Sequence, residues 1–320
     1  AQEYTFTIHH FLSPKAATQT RLIEPWAARV SEASGGRIAF EIFPSMALGG
    51  KPPDLYQQVR DGTADIVWTL PGYTPGVFPR LEVFELPTVH RGSAEATTKA
   101  IQDVMPELAE DLEAVKPLLV HVHAGNALHL VRGAVEGPED VEGLKIRSPS
   151  RTGVWMLGTW GAEPVGMPVP ALPQALSKGT VDGALIPFEV AIPLKIAELT
   201  EASVELAEGQ RFGTSTFLFA MNRERYEALP PDLQAVIDAH SGAAIAGEIG
   251  AAWDAIEPVG KQIARDAGRS VTALSPEATA AFDALHRPLS ARWVEEASAV
   301  GIDAKALLES AKAAVAEHSE

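Results

Sequence analysis

Leu55-Tyr56-Gln57-Gln58-Val59-Arg60-Asp61-Gly62-Thr63-Ala64-Asp65 returns 117 residues later as Leu172-Pro173-Gln174-Ala175-Leu176-Ser177-Lys178-Gly179-Thr180-Val181-Asp182, with Leu, Gln, Gly, Thr and Asp identical in one register. Each copy reads as a short helix, a glycine just past its end, and a strand. Helix, glycine, strand is common grammar in itself, but identities held in one register favour a pseudo-repeat with one copy in each of two similar α/β lobes. Two such lobes set two groups of strand carboxyl ends face to face, and in open α/β sheets ligands bind beyond those ends. The cleft between the lobes is therefore the candidate site.

Before the first copy, Tyr4–Ile8 alternates as a strand, 9–16 reads as a loop, and 17–33 reads as a helix stopped by Gly35-Gly36. A second strand over 37–43 leads through the glycine-rich 45–50 loop to the helix at 52–61 and the strand at 65–68, an order that implies parallel pairing. Before the second copy runs Glu139-Asp140-Val141-Glu142-Gly143-Leu144-Lys145-Ile146-Arg147-Ser148-Pro149, a short apolar strand ending on a lone arginine. A guanidinium is always charged and presents a fixed fork of donors that fits both oxygens of a carboxylate. On residues alone, Arg147 is either a ligand-carboxylate partner or half of a salt bridge within its lobe.

The chain has 320 residues, 46% hydrophobic and 21% charged, which suits two folded domains rather than a disordered chain. Its net charge of −16 makes nucleic acid and anionic membrane surfaces poor partners, so an anionic ligand needs locally placed positive groups. There is no cysteine, which excludes thiolate chemistry and disulfides. No apolar run reaches the roughly 18 residues of a membrane span. G-x-S-x-G, G-x-G-x-x-G and Walker motifs are missing, which leaves an enzyme as the weaker reading, without catalytic residues or a cofactor to name. His121 and His123 have i, i+2 spacing on one strand face, with His129 nearby. They lack both H-E-x-x-H spacing and an assured carboxylate ligand, so no metal site is expected.

The Gly143-Leu144-Lys145-Ile146-Arg147 segment, the repeat, and Met221-Asn222 followed by Leu229-Pro230-Pro231 closely resemble the extracytoplasmic solute-binding proteins of TRAP transporters, the C4-dicarboxylate-binder-like family. The resemblance covers nearly the whole chain. It implies a two-lobe periplasmic-binding-protein fold of class α/β, with mixed sheets, hinge strands near Ala124 and Phe212, and a spine helix, read here as 232–256 with a kink or break at Pro258. Helices fill 276–317. The expected lobes are 1–124 plus 213–250, and 125–212 plus 251–320 with the C-terminal helices. The resemblance further implies a periplasmic monomer, a small organic acid ligand and membrane permease subunits as partners. The start at Ala1-Gln2-Glu3-Tyr4, straight into a strand pattern, fits a mature chain whose signal peptide has been removed.

In the family the strand-end arginine, Arg147 here, grips the substrate carboxylate, and the end of the first strand faces the cleft, which nominates His10. Ser150 and Arg151 open a helix whose backbone N–H groups favour an anion. Many relatives carry a second arginine where this chain has Ala127, and a glutamate and asparagine where Asp182-Gly183-Ala184-Leu185-Ile186-Pro187 supplies apolar side chains. With Trp68, Tyr73, Trp155, Met167, Ile186, Phe188 and Phe212 as further candidate surface, the expected ligand is an aromatic or hydrophobic monocarboxylate, because hydroxyl-rich ligands would go unpaired on such walls. A sugar acid or C4-dicarboxylate is the alternative within the family; an ABC-type binder or a two-lobe enzyme lies outside it.

Overall fold

A computed structural model describes all 320 residues. The strands, in chain order, are β1 (Tyr4–His10), β2 (Ile38–Phe43), β3 (Ile66–Thr69), β4 (Val115–Val122), β5 (Ala127–Leu130), β6 (Lys145–Ser148), β7 (Glu163–Gly166), β8 (Gly183–Ile186), β9 (Ala202–Glu205), β10 (Thr216–Asn222) and β11 (Ser270–Ala273). They form two mixed sheets, ordered β2-β1-β3-β10-β4 and β11-β9-β5-β8-β6-β7. β1, β2 and β3 are parallel, as are β6, β7 and β8; β10 runs antiparallel to β3 and β4, and β5 antiparallel to β8 and β9.

The repeat is a structural repeat. Asp65 Oδ2 accepts from Thr7 N at 2.8 Å, and Asp182 Oδ2 from Lys145 N at 2.9 Å, so each repeat aspartate ties the start of its own strand to the parallel neighbour. On the other side, Asp65 O accepts from Asn222 N and Asp182 O from Val131 N, which seats the antiparallel strand. The glycine past the first helix, Gly62, has φ 84°, a left-handed geometry that costs any residue with a Cβ. In register, Arg147 stands opposite Ala184 as His9 stands opposite Val67, and Ala184 and Val67 are themselves one repeat apart.

The chain crosses between the sheets after β4 and again after β9. The crossings hold each other: Asn126 N donates to Gly213 O at 2.8 Å, and Phe212 N to Asn126 O at 2.9 Å. A helix over Ala243–Asp266 spans both lobes. Asp254 accepts from Ser93 Oγ, Ala94 N and Glu95 N at the start of the helix Ala94–Leu112 on the first lobe. One turn on, Glu257 accepts from Phe188 N at 3.2 Å and Glu189 N at 2.6 Å on the second. Gly250 and Gly260 let this helix approach closely, since a Cβ at either would meet the backbone of Glu95 or of Phe188 within 2.6 Å.

This spine differs from the expected 232–256. Helix Pro231–Ala239 ends before Gly242, whose φ of 58° and N–H bond to Leu118 O at 2.7 Å pin a break there. Pro258 does not end the second helix: it sits on the exposed face, where water can satisfy the carbonyl that loses its partner. The final helix, Ala304–His318, also departs from its expected place with the second lobe. It packs on Ala94–Leu112 of the first, and His318 Nε2 pairs with Asp103 at 2.6 Å. No helix is long and apolar enough to cross a membrane.

Candidate functional site

Where the two sheets meet lies a partly open cavity of about 360 Å³, its mouth included, lined mostly by apolar side chains, with Arg147 among the lining residues. Arg147 is 2% exposed. Its Nε donates to Met167 O at 2.9 Å, Nη1 to Leu185 O at 3.1 Å, and Nη2 to Tyr73 Oη at 3.3 Å. No carboxylate forms a salt bridge with it, so the intralobe ion pair left open by the sequence is not made. Burial lowers its pKa, with Tyr73 opposing the shift, yet a guanidinium stays protonated at any physiological pH. A buried cation held only by neutral acceptors is costly unless an anion joins it. Of its five N–H donors, these contacts engage three.

The opposite wall is aromatic. Trp68 stacks on Phe217 with centroids 4.6 Å apart and planes 13° from parallel; Phe11 lies 5.1 Å from Trp68 and 5.3 Å from Tyr73. Trp68 Nε1 donates to His121 Nε2 at 2.9 Å, so its polar atom is satisfied away from the cavity. Leu185 and Ile186 complete an apolar floor from β8.

Of the residues expected at the site, Arg147, Trp68, Tyr73 and Ile186 line this cavity, and the others do not. His10 lies inside β1 rather than beyond it, because the strand runs two residues past Ile8 to pair with β3. Its Nδ1 accepts from Leu12 N and its Nε2–H meets Gln19 Oε1 at 2.9 Å, which uses both nitrogens. Arg151 forms a two-point pair with Glu82, including Nη2 to Oε1 at 2.6 Å, and so joins the lobes instead of meeting the ligand. Ser150 caps its helix by accepting from Gly153 N. The guanidinium groups of Arg151 and Arg292 lie 5.3 and 4.7 Å from the Trp155 ring centroid. Met167 meets Arg147 through its carbonyl and lines a neighbouring opening with Ser150 and Arg151. Phe188 packs edge-on against His129, and Phe212 against Trp160 and Phe282, both in the core.

The sequence reading missed His123, Asn126, Glu189 and Ser215, all of which line the cavity. His123 stands one residue past β4, and its Nδ1 accepts from Gly125 N at 3.0 Å, so the ring proton belongs on Nε2. Burial holds the ring far below its usual pKa and therefore neutral. The His121–His123 spacing was visible but carried no sign that the second ring would leave the strand for the cleft. Asn126, Glu189 and Ser215 belong to no motif.

The sequence matches the family model "Bacterial extracellular solute-binding protein, family 7" (DctP) over residues 8–297. A TRAP solute binding protein from a marine metagenome, specific for aromatic acid ligands and crystallised with 3-hydroxybenzoate, is 40% identical, with a TM-score of 0.97 and full coverage of both chains. A TRAP solute binding protein from Rhodoferax ferrireducens with copurified benzoate is also 40% identical, with a TM-score of 0.95 and 98% of each chain covered. Among curated relatives, the outer membrane transporter protein TsaT of Comamonas testosteroni is 24% identical over 317 residues, covering 97% of this chain and 91% of its own.

Proposed function

The chain belongs to the family 7 bacterial extracellular solute-binding proteins, and from that premise we propose that its interlobe cavity captures an aromatic monocarboxylate on Arg147. As a TRAP solute-binding protein it works outside the cytoplasmic membrane and hands a small organic acid to permease subunits. The observation that carries the ligand class is the buried Arg147, which forms no salt bridge, in a cavity walled chiefly by apolar residues such as Trp68, Phe217, Phe11, Leu185 and Ile186. One carboxylate satisfies the cation, and an aromatic body stacks on the walls without demanding polar partners. The two relatives at 40% identity that bind aromatic acids support the same class.

In this proposal lobe I comprises 1–124 plus 213–250 together with the last helix, and lobe II comprises 125–212 with the rest of the C-terminal part. They close about the paired crossings near Ala124 and Phe212, and binding involves no chemical turnover. Titration of benzoate into the wild type and Arg147→Ala by calorimetry tests the reading: binding by the first and not the second supports it, and equal binding by both contradicts it.

A further inference from the structure

We propose that the cavity end opposite Arg147 is built to read a hydroxyl group on the ligand ring, through the carbonyl oxygen of Asn126 and the hydroxyl of Ser215. This rests on the aromatic-monocarboxylate reading above and narrows it to ring-hydroxylated acids. Asn126 and Ser215 are 3% and 1% exposed, and Asn126 Oδ1 and Ser215 Oγ are buried without any hydrogen-bond partner, although both residues line the cavity. Unpaired buried polar atoms are rare and costly, and two on residues that line one cavity point to a ligand group that pairs with them.

Asn126 is fixed in orientation, since its Nδ2 donates to Phe212 O at 3.2 Å, which leaves Oδ1 as an acceptor. The Asn126 N bond to Gly213 O brings the two crossings together, and with them Ser215. Sheet order β5-β8-β6, with Ala127 opposite Ile186 and Arg147 opposite Ala184, then places Asn126 two strand spacings across and three residues along from Arg147, roughly 14 Å from backbone to backbone. A benzene ring with its carboxylate fills that span once the arginine side chain has reached over Leu185.

A group that satisfies both must donate to Asn126 Oδ1 and exchange a hydrogen bond with Ser215 Oγ. A phenolic O–H does both; a methyl ether has no proton to give, and a second carboxylate gives none either.

Calorimetric Kd values for benzoate, 3- and 4-hydroxybenzoate, their methoxy analogues and isophthalate, with wild type, Ser215→Ala and Asn126→Ala, test this. In the wild type, one hydroxybenzoate should bind at least roughly tenfold tighter than benzoate, with the methoxy acids and isophthalate weaker than it. Either variant should shrink that ratio several-fold. Because the readout is a ratio within each protein, a folding defect in Asn126→Ala leaves Ser215→Ala to decide. If benzoate binds and every hydroxybenzoate merely equals it, or if the preference survives in Ser215→Ala, the hydroxyl inference fails while the carboxylate reading stands. If no aromatic acid binds, both fall.

Discussion

Tyr73 Oη accepts from two groups of the opposite lobe at once, Arg147 Nη2 at 3.3 Å and Val169 N at 2.9 Å. A single phenol from the loop after β3 thus orients the Arg147 guanidinium and ties the two lobes together. Removing the oxygen should cost both functions. Tyr73→Phe is expected to weaken ligand binding by about 1–1.5 kcal/mol, roughly tenfold, because a buried backbone N–H and a guanidinium N–H lose their acceptor. Stopped-flow displacement should place most of the loss in a faster off-rate, as loosening a closed form dictates.

Arg147→Ala should lose about 2–5 kcal/mol of ligand affinity, since it strands a desolvated carboxylate. Lysine at this position should recover only part, having no fork to match two oxygens. The unliganded variant should melt no lower than the wild type, because the substitution removes a buried cation without a counter-charge. A large fall in the melting temperature of ligand-free Arg147→Ala would show that the arginine is structural.

Stability should peak near pH 6.5. Burial lowers His10, His90 and His129 to about 4 and His121 and His286 to about 3, so each contributes stability above pH 6.5 that is lost as pH falls towards those values. Burial raises Glu85 to about 7 and Glu189 to about 8, with neighbouring Glu82 and Glu257 adding to the shifts; their contribution is fully present below about 4.5 and is lost as pH rises through 7 and 8. Between these limits the lowered histidines, His9 and His123 included, outnumber the raised carboxyls, Glu82, Asp111 and Asp254 included, so the acid limb should be the steeper. Melting temperature against pH checks this, and Glu189→Gln should flatten the alkaline limb.

Ligand should compact the particle. Tyr73 to Arg147, Glu82 to Arg151 and Glu85 to Thr152 at 2.8 Å all bridge the lobes, so a hinge that opens the cleft has to break them. Small-angle scattering with saturating benzoate should give a smaller radius of gyration than the ligand-free protein. An unchanged radius would remove the hinge.

Much of this was legible from local pattern. The repeat gave both lobes because its helix stop and aspartate act within one strand pair, whereas the position of Arg147 at the cavity followed from the family resemblance, since its residues alone left an intralobe salt bridge open. Asn126 and Ser215 were not legible: they gain meaning only when two crossings distant in sequence hydrogen-bond side by side. His10 failed for the opposite reason, since a strand's last residues are set by its neighbours β2 and β3 and not by its own alternation. Gly242 was read as part of a helix because alanine-rich flanks hid a break pinned by Leu118 O.

The central claim is that one carboxylate on Arg147 and an apolar, aromatic body define the ligand. Its most direct test is a calorimetric and thermal-shift comparison of benzoate-like and aryl-keto acids with succinate and hexuronates. The aromatic monocarboxylates should bind and raise the melting temperature, while succinate and the sugar acids leave it nearly unmoved. A C4-dicarboxylate or hexuronate that stabilises the protein more than every aromatic acid would contradict the account.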